Sequence, residues 1–244
     1  MPVRRYDGRM FDKTARFYDA IYSFKDYPAE AARVQEIVED RNPGAHTLLD
    51  VACGTGRHLE HLRERFAVEG LDLDPALLAV ARERLGPDVP LHVADMVAFD
   101  LGRAFDAVTC LFSAIAYART GENLARAVER LLAHTAPGGV VIVEPFFERS
   151  QWRWPEVHAT YVDEPDLKIA RMNRTAEPGE TIVMEFEYLI GTPKGIERAT
   201  ERHEVGAFTR GDYQAAFRAA GVEPEWTDDG LMEDRGLWIA IKPA

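Results

Sequence analysis

The chain is poor in cysteine and in long apolar runs, and each shortage excludes a class of protein. Two cysteines, Cys53 and Cys110, cannot form a disulfide framework, and their place at the ends of predicted strands makes each a small buried thiol. No apolar run approaches the length of a bilayer span, and residues 1–5 lack the apolar core of a signal peptide. We therefore expect a cytoplasmic protein without a membrane span.

Positive charge is outnumbered by negative charge, with 29 Lys and Arg residues against 41 Asp and Glu residues. The formal net charge is −12 at pH 7, which opposes general affinity for nucleic acid or for an anionic membrane surface. A local group of arginines can still bind an anionic small molecule. No set of His, Cys and carboxylate residues has metal-ligand spacing, so the sequence predicts no metal. The 244 residues suffice for one α/β domain with an appended lid.

Strand and helix patterns alternate over the first two thirds of the chain. Residues 11–39 predict two helices, and the later segments predict strands at 47–52, 67–71, 91–93, 105–111 and 139–144 with helices between them, notably 75–85 and 121–134. Repeated strand-helix units imply a mostly parallel, doubly wound sheet. Such sheets bind ligands at the carboxyl ends of their strands.

The alternation of strands and helices stops in residues 152–208. Strand-like runs at 167–172, 181–190 and 197–206 predict an antiparallel insertion over the cleft, and a helix (210–219) and two strands (223–227, 237–241) come after it. We expect a single structural unit. Residues 1–148 and 209–244 would form the ligand-binding domain with an N-terminal helical cap, and residues 149–208 an antiparallel lid.

Residues 48–56, Leu-Leu-Asp-Val-Ala-Cys-Gly-Thr-Gly, are the most informative stretch. An apolar strand passes through Asp50 into a turn with Gly54 and Gly56, where a residue without a Cβ lets the backbone approach a ligand. The next predicted strand ends in Asp72, whose carboxylate suits both hydroxyls of a ribose. A dinucleotide fingerprint would have a third glycine at Leu59, and Asp50 would repel phosphates. An adenosyl ligand without phosphate is favoured, and a dehydrogenase is the weaker alternative.

The glycine turn, Asp72 and the triplet Ala94-Asp95-Met96 together resemble the class I S-adenosylmethionine-dependent methyltransferases. The resemblance extends to the nucleotide-linked (dTDP) amino-sugar N,N-dimethyltransferases of antibiotic pathways and runs from about Phe17 to Lys242. The residues that carry it are 50–56, 101–102, 110–113, 137–140, 143–145 and 235–237. It implies a Rossmann-like, seven-stranded methyltransferase sheet with helices on both faces and an antiparallel β insertion over the cleft.

S-adenosyl-L-methionine, with S-adenosyl-L-homocysteine as product, is the cofactor that the resemblance implies. Asp72 would bind the ribose, and Asp95 with Met96 the adenine. The implied cofactor residues are Tyr18, Asp50, Ala52, Gly54, Gly56, Asp72, Leu73, Asp95, Met96 and Leu111. Met96 and Leu111 equally fit positions in the core.

Aromatic and arginine side chains make up the expected acceptor site. The residues implied there are Tyr22, Tyr27, Phe146, Trp152, Arg171 and Arg235. Arginine suits bidentate phosphate binding, and a tyrosine ring can stabilise a cation. Tyr22 equally fits a helix packed on the sheet.

Tyr117 and Glu30 are the candidate catalytic residues. A phenol titrates near pH ~10, so Tyr117 is expected to orient an amine or to accept its proton late. Among the histidines, His58 and His61 are expected at the surface, and His203 on a lid strand faces either the cleft or the solvent.

The predicted function is S-adenosylmethionine-dependent N-methylation of a small-molecule amine, carried by a nucleotide-linked amino sugar. The alternatives are another small-molecule N- or O-methyltransferase, for a natural product or a glycine-like amine, and a non-catalytic S-adenosylmethionine-binding protein. The expected partner is a small-molecule substrate, without nucleic acid or membrane, and a homodimer is compatible with the resemblance.

Overall fold

The structure is a computed structural model that describes residues 14–152, 155–175, 179, 181–232 and 235–244. Its α-helices are α1 (Tyr18–Ile21), α2 (Tyr27–Arg41), α3 (Arg57–Leu62), α4 (Pro75–Leu85), α5 (Gly121–Ala133) and α6 (Arg210–Ala219). Its strands are β1 (Thr47–Val51), β2 (Ala67–Asp72), β3 (Leu91–Val93), β4 (Phe105–Cys110), β5 (Thr135–Val143), β6 (Glu156–Glu164), β7 (Leu167–Thr175), β8 (Thr181–Thr192), β9 (Gly195–Gly206), β10 (Glu225–Thr227) and β11 (Leu237–Ile241). Short 3-10 helices occupy Ala15–Phe17, Ala114–Ala118 and Arg149–Gln151. Residues 11–13 of the predicted N-terminal helices lie outside the described residues.

In the described part of the chain, seven strands form the main sheet, in the order β10-β11-β5-β4-β1-β2-β3. Strands β1 to β5 are parallel, and β11 is antiparallel to both β5 and β10. Strands β2 and β4 pair with opposite sides of β1, so the winding of the sheet reverses at this strand. The loops after β1 and β4 therefore border a cleft at the carboxyl edge of the sheet, which is where such sheets bind ligands.

Successive side chains of the parallel strands enter two separate hydrophobic cores. Leu48 and Ile142 pack on one face with residues of α2, α3 and α4. Leu49 and Val141 pack on the other face with residues of α5 and α6. All four side chains are fully buried, so both faces of the sheet are covered by helices, as the sequence predicts.

Local signals set the limits of the helices. Asp74 precedes Pro75 and accepts a hydrogen bond from the Ala76 backbone N–H at 2.9 Å, which caps the start of α4. The same helix ends before Gly86, whose φ of +79° suits a residue without a Cβ. Thr209 and Asp212 form a reciprocal capping box at the start of α6. These boundaries follow directly from the sequence.

The insertion forms a second, antiparallel sheet in the order β6-β7-β8-β9. Its inner face carries a third hydrophobic core, which it shares with the N-terminal segment through Phe17 and Ile21. The lid side chains buried in this core are Ile169, Ile182, Met184, Phe186, Tyr188, Ile190, Ala199 and Val205. The predicted fold class, a Rossmann-like sheet with an antiparallel insertion, is confirmed.

Most observed bounds lie within three residues of their prediction, and two elements differ more. Strand β5 begins at Thr135 rather than at residue 139, because Thr135 pairs with Phe105 across an irregular stretch that contains Gly138 at a φ of +76°. Strand β6 was not predicted; Val157, Ala159 and Tyr161 alternate along it, but these side chains are exposed and do not enter a core. Within the described residues, no helix combines the length and the apolarity that crossing a membrane requires.

Candidate active site

The two glycines of the turn after β1 have different surroundings. Both have positive φ, +56° at Gly54 and +75° at Gly56. A Cβ on Gly54 would meet nothing within 4 Å, whereas a Cβ on Gly56 would lie 2.8 Å from Cδ1 of Leu85. Gly54 lines the cleft and Gly56 does not. Gly56 therefore allows the turn to pack on α4, and Gly54 leaves room beside the cavity.

Asp72, at the end of β2, is held against this turn by both carboxylate oxygens. Oδ2 accepts a hydrogen bond from the Gly54 N–H at 2.8 Å, and Oδ1 accepts one from the Asp74 N–H at 2.9 Å. Burial raises the pKa of Asp72 to about 6, although the two hydrogen bonds oppose the shift. The carboxyl group lines the cavity in a fixed orientation, with lone pairs left for hydroxyl donors.

Asp50 was predicted to bind the cofactor, but it lies beneath the cavity and does not border it. Its side chain is buried, and its Oδ1 accepts a hydrogen bond from the Thr109 hydroxyl on β4 at 2.7 Å. Burial raises the pKa of Asp50 to about 6. The residue does not line the cavity, so its structural contact is with the strands below the turn.

A cavity of about 280 Å³ opens at the carboxyl edge of the sheet. One end is bordered by the turns after β1, β2 and β3, and the other by the lid sheet and the segment after β4. The lining includes predicted residues from both groups: Tyr18, Ala52, Gly54, Asp72, Leu73, Asp95, Met96 and Leu111 for the cofactor, and Tyr22, Phe146, Arg235 and Tyr117 for the acceptor and catalysis. Met184, Phe186, His203 and Val205 of the lid complete the wall.

Arg235 lines the cavity beside the segment that follows β4, surrounded by aromatic rings. Its guanidinium donates to the Ser113 hydroxyl at 2.7 Å, and its Nε is buried without a hydrogen-bond partner. The guanidinium carbon is 4.9 Å from the ring centroid of Phe147 and 5.6 Å from that of Phe112. Burial lowers the pKa of Arg235, and the Glu144 carboxylate opposes this shift. The site therefore contains a cation with an unused donor.

Arg171, on β7, does not line the cavity. Its guanidinium lies 5.1 Å from the ring centroid of Tyr22 and 5.6 Å from that of Phe186, two residues that do line it. One nitrogen donates to the Thr160 hydroxyl at 3.0 Å, and the Nε and the other terminal nitrogen are buried without a partner. A second cation with unused donors thus lies directly behind the lining.

Three further predicted residues lie outside the lining. Tyr27 is buried, with its ring edge-on to His58 at 5.0 Å between centroids. Trp152 donates from its indole to the Phe147 carbonyl at 3.1 Å and packs behind Phe146. Trp152 therefore supports a cavity residue, whereas Tyr27 packs on a residue outside the lining.

Glu30 is the third of these residues. Its Oε1 accepts from Lys25 Nζ at 2.7 Å, and its Oε2 is 2.7 Å from His58 Nε2. Burial alone would raise the pKa of Glu30, but hydrogen bonds from His58 and Lys25 hold it below its usual value. The prediction that His58 lies at the surface is wrong, because its ring is buried where it makes a hydrogen bond with the buried Glu30 side chain. The arrangement favours a structural role for Glu30.

Sequence reasoning left the position of His203 open and did not identify Glu201. Both side chains are buried on the inner face of β9, and the Tyr117 hydroxyl is 2.6 Å from His203 Nδ1. Every second residue from Ala199 to Val205 is buried. The alternation of a strand therefore predicts that Glu201 and His203 share the inner face with Ala199 and Val205.

Cys53 and Cys110 are buried free thiols, as predicted. Burial raises the pKa of both thiols, so neither is an activated nucleophile. Over the described ranges of the chain, no three His, Cys, Asp or Glu side chains come together in a way that could hold a metal ion.

Comparison with known proteins places this geometry in a family. A model of the methyltransferase domain matches residues 48–139. The dTDP-3-amino-3,6-dideoxy-alpha-D-glucopyranose N,N-dimethyltransferase of Streptomyces fradiae is 40% identical over 247 residues, covering 100% of this chain and 94% of the relative.

Two solved structures are similar over nearly the whole chain. DesVI of Streptomyces venezuelae has a TM-score of 0.89 at 39% identity and covers 95% of this chain and 99% of its own. CalS10 of Micromonospora echinaspora, an amino pentose methyltransferase solved with S-adenosylmethionine bound, has a TM-score of 0.83 at 42% identity and covers 93% and 96%.

Proposed function

Because the chain belongs to the S-adenosylmethionine-dependent methyltransferases, in the group that contains the dTDP-amino-sugar N,N-dimethyltransferases, we propose that it methylates the amine of a sugar carried on a nucleoside diphosphate. Its enzymatic class follows from the family. Its acceptor is the proposal, which rests on the cation at the acceptor end of the cavity.

The residues at the other end fit S-adenosylmethionine. The open space at Gly54 accepts a ligand close to the backbone, and Asp72 offers carboxylate lone pairs to a ribose. Asp95 borders the same end, in the turn after β3. When bound, the cofactor supplies a methyl group on a positively charged sulfur, which the aromatic wall at Tyr18 and Tyr22 can stabilise.

Arg235 is the observation that carries the acceptor. A guanidinium with a buried, unpaired Nε is costly unless anionic groups balance its charge. Glu144 supplies part of that charge, and a phosphate supplies more with suitable geometry. Arg171, behind Tyr22 and Phe186, adds positive charge on the lid side of the cavity. An amine-bearing acceptor that carries a diphosphate therefore complements this end of the cavity better than an uncharged acceptor without phosphate does.

Tyr117 supports an amine as the reacting group. It borders the same cavity as Asp72 and Arg235, and its hydroxyl can orient an amine by accepting a hydrogen bond. A protonated amine has no lone pair, so the bound amine has to be neutral before transfer. Orientation of two bound groups supplies most of the rate enhancement in such a site.

The test is transfer of labelled methyl groups to a panel of acceptors. The panel contains dTDP-amino sugars, the same amino sugars without the nucleotide, and dTDP-sugars without an amine. We expect methylated product from the dTDP-amino sugars alone. Methylation of free amines with equal efficiency, or of hydroxyl groups, would contradict the proposed acceptor.

Arg235→Gln tests the phosphate contact. We expect the KM for the nucleotide-linked acceptor to rise about 10- to 100-fold, as the loss of a charge-assisted hydrogen bond predicts, with unchanged binding of S-adenosylhomocysteine. Arg198→Gln is the matched control, since Arg198 pairs with Glu187 on the exposed face of the lid. An unchanged KM in Arg235→Gln would reject this role.

A further inference from the structure

Three polar side chains form a line from the cavity wall into the lid sheet. Tyr117 borders the cavity, and its hydroxyl oxygen is 2.6 Å from His203 Nδ1. His203 Nε2 is 3.4 Å from Glu201 Oε2. His203 is 3% exposed and Glu201 is 9% exposed, so water reaches this line mainly through the cavity.

The carboxylate favours one tautomer of the His203 imidazole. An ionised Glu201 can only accept, so His203 Nε2 is the donor to it. In the neutral ring Nδ1 is then an acceptor, and the Tyr117 hydroxyl donates to it. A Tyr117 oxygen whose hydrogen is directed toward His203 can in turn accept a hydrogen from an amine in the cavity.

The far end of this line is rigidly held. Glu201 accepts a hydrogen bond from the Tyr188 hydroxyl at 2.8 Å and another from the Thr14 hydroxyl. The ring of Phe186 packs edge-on against the His203 imidazole, with 4.7 Å between centroids. His203 therefore has little freedom to leave the Tyr117 hydroxyl.

We propose that Tyr117 relays a proton from the bound amine and that His203 and Glu201 are the positioning residues behind it. This inference rests on the proposed amine acceptor. An N–H bond of the bound ammonium breaks and its proton bonds to the Tyr117 oxygen. The hydroxyl hydrogen of Tyr117 moves to His203 Nδ1 in the same relay. The positive charge passes from the substrate nitrogen to the imidazole, where the Glu201 carboxylate stabilises it. The nitrogen keeps the electron pair, which is the pair that methyl transfer requires.

Other charged and titratable groups surround the relay. They are Tyr18 on α1, Arg119 with Glu204 at the edge of the lid, Arg171 on β7 and Tyr188 on β8. The test therefore compares variants at the same pH values rather than assigning a titration to one residue.

Tyr117→Phe, His203→Asn and the double variant are assayed from pH 6.5 to 9.5 with an amine that the wild-type enzyme methylates. We expect each single variant to lower kcat at pH 7 about 10- to 100-fold, near the lower range for proton-transfer catalysis, with both KM values within about threefold of wild type. The double variant is expected to match the single variants, since both substitutions interrupt one relay. At pH 9.5 the amine binds without its extra proton, so the variants should recover most of the wild-type kcat.

The lid itself offers a matched control. Glu156 and His158 on β6 have the same spacing as Glu201 and His203 and lie 3.4 Å apart, but His158 is exposed. His158→Asn should retain the wild-type pH profile. Thermal unfolding and S-adenosylhomocysteine binding show whether each variant is folded.

The outcomes separate this relay from the proposed acceptor. A folded His203→Asn enzyme with wild-type kcat at pH 7, or with one constant loss at every pH, overturns the relay. The acceptor is judged on the wild-type enzyme alone, by which compounds of the panel it methylates. A second readout is 15N NMR of the ligand-free enzyme, in which we expect His203 Nδ1 without hydrogen and a shifted resonance in Tyr117→Phe. A protonated Nδ1 in the neutral ring also overturns the relay.

Discussion

The Asp19 carboxylate accepts a hydrogen bond from the Thr55 hydroxyl at 2.7 Å, which ties α1 to the glycine turn. The same carboxylate pairs with Arg84 of α4. Asp19 directly follows Tyr18, which lines the cavity. The contact therefore holds the tyrosine-bearing segment against the part of the site where the cofactor is proposed to bind.

Asp19→Asn is expected to accelerate cofactor dissociation more than it lowers stability. The amide can still accept from Thr55, but its ion pair with Arg84 is lost, and the Asp19 side chain is partly exposed, so we expect a loss of about 1 kcal/mol or less. Stopped-flow dissociation of S-adenosylhomocysteine should be about tenfold faster. Asp163→Asn, which removes an exposed ion pair with Lys168 in the lid, is the control. Equal dissociation rates in Asp19→Asn and the wild type would show that the contact does not hold the site closed.

Cofactor affinity is expected to depend on pH through Asp72. Its pKa is raised to about 6 in the ligand-free protein, so the carboxyl is protonated below pH 6 and ionised above it. Only the ionised form accepts hydrogen bonds from both ribose hydroxyls. Calorimetry should therefore show an affinity for S-adenosylhomocysteine that is level above pH 7 and falls about tenfold per unit below pH 6.

Two variants show which of the two buried aspartates causes the pH dependence of cofactor affinity. Asp72→Asn should bind weakly at every pH between 5 and 7. Asp50→Asn should keep the pH dependence, because Asp50 has a similarly raised pKa but does not line the cavity. A flat profile in Asp50→Asn would place the titration there instead.

Alanine at Gly54 and at Gly56 should have different consequences. Gly54→Ala adds a side chain at positive φ without a clash, so we expect unfolding free energy to fall by about 1 kcal/mol and cofactor affinity to fall more than tenfold. Gly56→Ala also brings a Cβ to 2.8 Å from Leu85, so we expect a larger stability loss of about 2–4 kcal/mol. Urea unfolding and calorimetry measure the two effects. Equal stability losses, or an unchanged affinity in Gly54→Ala, would contradict the assignment.

Glu30→Gln should act on stability. It leaves Lys25, whose side chain is fully buried, without its anionic partner, and such a loss typically costs about 3–5 kcal/mol. Glu122→Gln removes the exposed pair with Arg126 and should change stability by less than about 1 kcal/mol. We expect urea unfolding to separate the two variants clearly. A stable Glu30→Gln enzyme with a large loss of kcat would instead favour the catalytic role that the sequence suggested.

Much of the cavity lining where the cofactor is proposed to bind was predictable as a group, because its residues follow one another at the ends of successive strands. Asp50, Gly54 and Asp72 are close to apolar runs that mark β1 and β2, and strand ends converge in a parallel sheet. The depth of each residue was not predictable. Asp50 and Gly56 belong to the same motif as Gly54, yet they pack on Thr109 and Leu85 instead of bordering the cavity.

Contacts between distant segments account for most of what the sequence did not show. His58 looks like a surface residue beside His61, but it is buried because it meets Glu30 from another helix. Tyr117 and His203 are 86 positions apart, and no local pattern joins them. Strand β6 is an exception, because its alternating Val157, Ala159 and Tyr161 are exposed and it pairs with β7 in a local hairpin.

We expect the core that the N-terminal segment shares with the lid sheet to link the binding of the two proposed ligands. Phe17 and Ile21 are next in sequence to the lining residues Tyr18 and Tyr22, and they share this core with Phe186 and Met184 of the lid. Ordering this core for one ligand reduces the ordering that the other has to bring about. Each ligand should therefore raise the affinity of the other by the same factor. The complex with both ligands bound should be favoured over either complex with one ligand.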